Sequence, residues 1–272
     1  MVIKSKKSIK TSCFCINKKI IQNILRYNSK PLGETDFRIK KKEYKRSYSK
    51  CNNCDHYFSN HNYDLEKLYR MNYSKLTYGS QQKIFYIFRK VLNLPKSKSD
   101  NKFRIKRVMK IVKKNFVCLD VGSGLGVFPY ELKKNKIKVH CLEKDKNLNK
   151  HLKKMKLDVV NNSIFLKKNS SKYDLITMNK IIEHIENPKL FLSKFLNILK
   201  KPGYLYIEVP STSALKSKLG KRSEEFFIEH FHIFSKKSLK NLLNFINLKI
   251  IYVKDIKENS GKYTLLALAK KI

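Results

Sequence analysis

Residues 116–128 read FVCLDVGSGLGVF: an apolar run closed by an acid, then glycines at 122, 124 and 126. A buried strand that runs into a glycine loop and then a helix is the opening of a ligand-binding α/β unit. Glycine clusters in that place often cradle phosphates at a helix start. The fingerprint of dinucleotide folds is G-x-G-x-x-G, however, and here Val127 stands where its last glycine belongs. The spacing therefore speaks against a nicotinamide or flavin site.

From Asn115 onward the pattern alternates as a parallel α/β sheet requires. Strands are predicted at NFVCLDV, IKVHCLE, DVVN, YDLITMN and YLYIEVP. Helices are predicted at VFPYELKKN, NLNKHLKKM and PKLFLSKFLNILK, the last closed by Pro202 and Gly203. A further helix, SKKSLKNLLNFI, has Ser235 as its N-cap, and LKIIYVKDI and GKYTLLALAK follow as strands close enough to pair antiparallel. Upstream, 62–94 is expected to be helical, with Ile84, Phe85, Phe88, Val91 and Leu92 at helical spacing and Pro95 at its end. A second apolar-periodic stretch covers 103–112.

The 272 residues, 42% of them hydrophobic, suffice for one full α/β domain and a small appendage. No apolar run approaches the ~18–20 residues of a membrane span, and the first residues carry no signal-type apolar core, so the expected location is the cytoplasm. The formal net charge is +40, yet only eight of the 61 basic residues are arginine. The lysines are dispersed among asparagines and isoleucines, the signature of AT-rich coding drift. Scarce arginine argues against specific nucleic-acid recognition; docking of a polyanion on the basic surface stays open.

Cys118 and Cys141 fall inside strand patterns and read as core. Cys13 and Cys15, spaced C-x-C, and Cys51 and Cys54, spaced C-x2-C, form a two-plus-two set. In a chain expected to be cytoplasmic such a set reads as a structural zinc site, with free surface thiols as the alternative.

LDVGSGLG after the first strand, Glu143 at the end of the second, and YDLITMNKIIEHIENPKLFLSKFLNILKKPGYLYIEVP resemble, in that order, a class I S-adenosylmethionine-dependent methyltransferase. The resemblance runs from about residue 60 to the end. It implies a Rossmann-like, seven-stranded, mostly parallel sheet whose last strand is antiparallel, over residues 115–272. A helical linker or lid over 61–114 and a small cysteine-containing knuckle over 1–60 precede it. Because S-adenosylmethionine has no phosphate, Gly122, Gly124 and Gly126 are expected to let the backbone pass close to the cofactor. Asp120 is implied near the ammonium of its methionine moiety, and Glu143, 23 positions on, at the ribose hydroxyls. Asn162 or Ser163 is the candidate for the adenine amino group, where the family usually has an acid, and Asn179 for the sulfonium end.

The segments SCFCIN, YNSKPLGETDF and YSKCNNCDHYFSN are similar to the zinc-binding segment that precedes methyltransferase domains of sugar-modifying enzymes, many from surface-polysaccharide pathways. Relatives that methylate sugar carbon carry a large C-terminal domain; this chain does not show one, which favours an oxygen or nitrogen acceptor. The implied activity is methyl transfer to a small molecule, a sugar or nucleotide-sugar, with His184, His230 or His232 as base. Residues 211–234 are expected to cover the acceptor, with Lys216, Lys218, Lys221 and Arg222 facing a diphosphate and His230 and His232 pointing the same way. The alternatives are an RNA or protein methyltransferase docking through the basic surface, or a quinone-type O-methyltransferase. No NPPY-type motif supports base methylation.

Overall fold

The computed structural model describes residues 11–37, 39–63, 74, 77–165 and 172–272. The glycine stretch behaves as the sequence predicts. Strand β4 (Val117–Val121) ends at the loop, and α3 (Val127–Lys134) begins beyond it. Then follow β5 (Lys138–Leu142), α4 (Lys146–Lys154), β6 (Asp158–Val160), β7 (Tyr173–Asn179) and α5 (Pro188–Leu196). The chain closes with β8 (Leu199–Pro210), α6 (Lys236–Phe245), β10 (Lys249–Lys257) and β11 (Tyr263–Lys271).

These strands form one seven-stranded sheet, ordered β10-β11-β8-β7-β4-β5-β6. β11 is antiparallel to both of its neighbours, and the pairings from β8 to β6 are parallel. The order reverses between β4 and β7, and a crevice opens outside the strand ends at such a reversal. Alternation along the strands divides the core. Leu119, Val121, Ile176 and Met178 face Leu192 of α5 and Leu239 and Leu242 of α6. Cys118, Leu175 and Tyr206 face Val108, Phe128 and Leu132 on the other side.

Two boundaries differ from expectation. β8 begins at Leu199, so Pro202 and Gly203 lie within the strand's span, where Tyr173 pairs with Leu199, instead of closing the preceding helix. The helix expected over 62–94 falls partly on residues outside those described, and within the described ones it is broken at 78–80, where Gly79 takes φ +82°; α1 (Gln81–Leu92) begins beyond that break, capped by Ser80, with Ile84 and Phe88 buried. α2 (Asp100–Val108), capped by Ser99, follows.

The N-terminal region forms a second sheet from β1 (Ile20–Tyr27), β2 (Arg46–Cys51), β3 (His56–Asn60) and β9 (His232–Ile233). Its last strand comes from the insert between β8 and α6. Cross-strand partners share a face, so the register sorts the side chains. Tyr48, Tyr57 and Ile233 lie on one face and join Tyr27, Tyr44, Phe226, Ile228 and Phe231 in an aromatic core. Cys51, His56, Phe58 and His232 lie on the other.

In the aromatic core, Arg46 and Glu34 are fully buried and paired at 2.9 Å. The Glu34 carboxylate also accepts from the Tyr44 hydroxyl at 2.5 Å and from the Ile228 N–H of the insert at 2.7 Å. Removing one partner of such a pair leaves an uncompensated buried charge and costs about 3–5 kcal/mol. Arg46→Met is therefore expected to lower unfolding stability by about that amount, and adding Glu34→Gln to recover much of it, as read by urea titration.

Candidate functional site

At the carboxyl ends of β4, β7 and β5 the structure brings together most of the residues that the sequence assigned to a cofactor. Asp120 is buried and pairs in register with Thr177 across β4 and β7. Its carboxylate accepts from the Thr177 hydroxyl at 2.7 Å and from the Asn179 amide at 3.2 Å. Burial nevertheless pushes its pKa up to about 6, outweighing those bonds. A cationic group bound beside it would offset that cost. Asn179 is fixed through its amide nitrogen, and its buried Oδ1 has no hydrogen-bond partner. Glu143 is half-buried and holds the glycine loop: one oxygen accepts from Gly124 N at 2.9 Å, the other from Lys144 N and Asp145 N.

The three glycines do different work. All have positive φ, +68°, +53° and +75°. A Cβ on Gly122 would stand 2.0 Å from Ile181 Cδ1, and one on Gly126 would stand 2.4 Å from Leu152 Cδ2. Only at Gly124 is the nearest atom, Gly122 O, as far as 4.0 Å. Gly122 and Gly126 thus admit neighbouring side chains of this chain, and Gly124 leaves the room that a ligand needs. Ser163 is exposed in a 3-10 turn (Asn162–Phe165), its backbone N–H bonded to Asn161 Oδ1.

The histidines separate into two groups. His232 is 1% exposed, and its ring nitrogens lie 3.0 Å from His56 Nε2 and 3.2 Å from Glu186 O. His56 in turn reaches Ser238 Oγ at 3.1 Å. His230 lies elsewhere. Because the strand spans only His232–Ile233, the two rings do not point the same way: His230 meets His184, with centroids 4.7 Å apart. His184 Nδ1 lies 3.0 Å from Glu229 O, and His230 Nδ1 lies 2.8 Å from Glu225 O. A carbonyl only accepts, so each Nδ1 carries the proton and each neutral ring has its lone pair on Nε2. Burial keeps both rings neutral, lowering the His184 pKa to about 4 and that of His230 well below its usual value.

Glu183 completes this cluster, a residue that the sequence analysis does not single out. It is fully buried, its carboxylate stands 4.0 Å from His184 Nε2, neither of its oxygens has a hydrogen-bond partner among the described residues, and burial raises its pKa to about 8 against the pull of Lys180. Lys180 is half-buried and donates to Thr264 Oγ1 at 2.6 Å. Lys216, Lys218, Lys221 and Arg222 are all exposed on the insert, and the Lys221 carbonyl accepts from the Tyr27 hydroxyl.

The sulfurs of Cys13, Cys15, Cys51 and Cys54 all lie within 4.8 Å of one another, and the four residues are buried. Asn241 of α6 donates its amide to Cys15 Sγ at 3.4 Å, and the Ser235 hydroxyl donates to the Cys54 carbonyl. Burial pushes the Cys13 thiol up to about 11; at Cys51 backbone N–H groups and the Cys13 thiol overcome burial and bring it to about 7. Cys118 and Cys141 are core residues, 1% and 0% exposed.

Among known proteins, a family described as a methyltransferase domain matches residues 86–253, more than half of the chain. The fold is similar to a SAM-dependent methyltransferase from Archaeoglobus fulgidus, 18% identical over 75% of this chain and 100% of that one, with a TM-score of 0.52. It is similar also to a possible histamine N-methyltransferase from Thermotoga maritima, 18% identical, covering 71% and 98%, with a TM-score of 0.52. A third is the 1,6-didemethyltoxoflavin-N1-methyltransferase of Burkholderia thailandensis, solved with S-adenosylhomocysteine: 12% identity, 70% and 86% coverage, TM-score 0.50. No curated protein matches in sequence.

Gly122→Ala combines a forbidden φ with a clash on Ile181, whereas Gly124→Ala meets the φ cost alone. Urea denaturation is expected to show a loss of roughly 2–4 kcal/mol for the first and about 1–2 kcal/mol for the second.

Proposed function

The chain belongs to the class I S-adenosylmethionine-dependent methyltransferases, and from that premise we propose that it methylates a hydroxyl or amine of a small molecule, a sugar or nucleotide-linked sugar. When bound, S-adenosylmethionine supplies a methyl group already activated on a sulfonium. The residues of the crevice fit it. The Asp120 carboxylate would hold the cationic methionine end, Asn179 Oδ1 offers an unused acceptor, and Glu143 has oxygens for the ribose hydroxyls in addition to its loop bonds. Gly124 supplies room. Ser163, exposed and next to Asn162, remains the candidate for the adenine edge.

The observation that carries the acceptor half of the reading is the pair His184 and His230, just beyond Asn179. Two neutral imidazoles with Nε2 lone pairs beside a buried carboxylate suit an acceptor that must lose a proton. His232, held by His56 and Glu186, is better explained as the bond between the small sheet and the loop after β7. The exposed Lys216, Lys218, Lys221 and Arg222 on the same insert support an anionic acceptor such as a nucleotide-sugar.

The test is a methyl-transfer assay with labelled S-adenosylmethionine over a panel of nucleotide-sugars, sugars and hydroxylated aromatics. Transfer to a sugar-bearing acceptor is expected, with His230→Asn slowing kcat by roughly 100-fold and cofactor affinity unchanged. The rate should hold as pH falls through 6.5, because burial keeps His184 neutral down to about 4. Wild-type rates in both His184→Asn and His230→Asn would remove this assignment, and transfer confined to RNA or protein would remove the acceptor class.

The four cysteines fit one structural zinc: four buried sulfurs, one already receiving an amide hydrogen bond from a neighbouring helix. Elemental analysis should find about one zinc per chain in the cysteine set. Because Cys51 and Cys54 flank β3, which pairs with β9, Cys51→Ser with Cys54→Ser should lower the melting temperature of the whole chain as well as the zinc content.

A further inference from the structure

The cluster beyond β7 has the donor set of a metal centre, separate from the cysteines. Ligand atoms of Glu183, His184 and His230 all lie within 4.8 Å of one another. Atoms bound about 2.1 Å from one ion stand roughly 3–3.5 Å apart, so shifts on the order of an ångström close the set. Two features point to a ligand. The Glu183 carboxylate is 0% exposed, and among the described residues neither of its oxygens is hydrogen-bonded, a costly state for a group that a cation would satisfy. Both imidazoles anchor Nδ1 on a backbone carbonyl, the outer contact that fixes metal-ligating histidines and leaves Nε2 as donor. The segments are also tied together: Phe231 N donates to Glu183 O at 2.8 Å.

We propose that Glu183, His184 and His230 bind a divalent first-row transition ion that activates the acceptor of the methyl transfer. Two imidazoles and one carboxylate leave coordination positions open, and their donor types suit manganese, iron, cobalt or zinc. This deepens the reading above and rests on it for the acceptor. An acceptor hydroxyl bound to such an ion would have a lowered pKa and could release its proton to solvent, so in this form of the reading the two imidazoles would hold the ion instead of taking the proton themselves. The oxygen lone pair then forms the new O–C bond while the S–C bond breaks, its electron pair leaving with sulfur as a neutral thioether.

The experiment is a Mn2+ titration of the zinc-loaded full chain by electron paramagnetic resonance, which counts the free aqua ion. Manganese avoids thiolate sites, so the cysteine set does not interfere. One Mn2+ per chain is expected, with affinity falling by at least about tenfold in Glu183→Gln and in His230→Asn. Unchanged S-adenosylhomocysteine affinity in each variant reports that the fold is intact. A wild-type chain that binds neither Mn2+ nor, in a parallel titration, Co2+ beyond the cysteine set overturns the site; so does a Glu183→Gln variant that binds as the wild type does. Ion binding as stated with no turnover of any panel acceptor upholds the site and overturns the acceptor reading instead.

Discussion

The pairing of β3 with β9, Tyr57 against Ile233 and Phe58 against His232, is the contact on which the arrangement of this molecule depends. The N-terminal sheet is too small to bury two faces by itself. The insert between β8 and α6 supplies its last strand and half of its aromatic core, and Tyr48 on β2 donates its hydroxyl to the His230 carbonyl at 2.6 Å. One face of the small sheet therefore determines where the His230 backbone lies. The other carries the cysteine cluster and, through His56 and His232, reaches the loop after β7 at Glu186. Residues 211–234 thus form a shared wall between the two sheets.

The second constraint acts at the reversal of strand order. Parallel neighbours β4 and β7 put Asp120 beside Thr177, and two residues later Asn179 reaches back to the same carboxylate. Lys180 then adopts φ +59°, turning the chain toward Ile181 and the Glu183–His184 turn. Ile181 fills the space that Gly122 leaves. The glycine loop and the turn that carries Glu183 and His184 are thereby packed against each other, so a change at Gly122 is felt on both sides.

The sequence made the large sheet legible because its strands are long, apolar and separated by amphipathic helices, and glycine loop, acid and second acid appear at recognisable intervals. Ser235 was readable as a cap for the same local reason, and the structure adds the reciprocal bond from Ser238. A two-residue strand such as His232–Ile233 has no periodicity to read, and its partner lies more than 170 positions away. His230 and His232 consequently looked alike in sequence and turn out to have different neighbours. Thr177 was missed although its place follows once β4 and β7 are known to be adjacent. Glu183 carried no signal beyond its charge; what distinguishes it is full burial with neither carboxylate oxygen hydrogen-bonded among the described residues, His184 Nε2 standing 4.0 Å away.

The acidic residues also explain how a chain of net charge +40 keeps a specific interior. Among the described residues seven carboxylates are buried: Glu34, Asp120, Glu183, Glu208, Glu225, Glu229 and Glu258. Glu208 is held by Arg104 and Arg107, which keep its pKa down at about 2 despite burial; Glu34 is held by Arg46. Three of the chain's few arginines are thus committed to buried carboxylates, where a planar guanidinium gives paired bonds that lysine cannot. Drift toward lysine is free on the surface and blocked inside. With so many carboxylates withdrawn from solvent, the described surface is more positive than the composition alone conveys, a field that attracts anions in general.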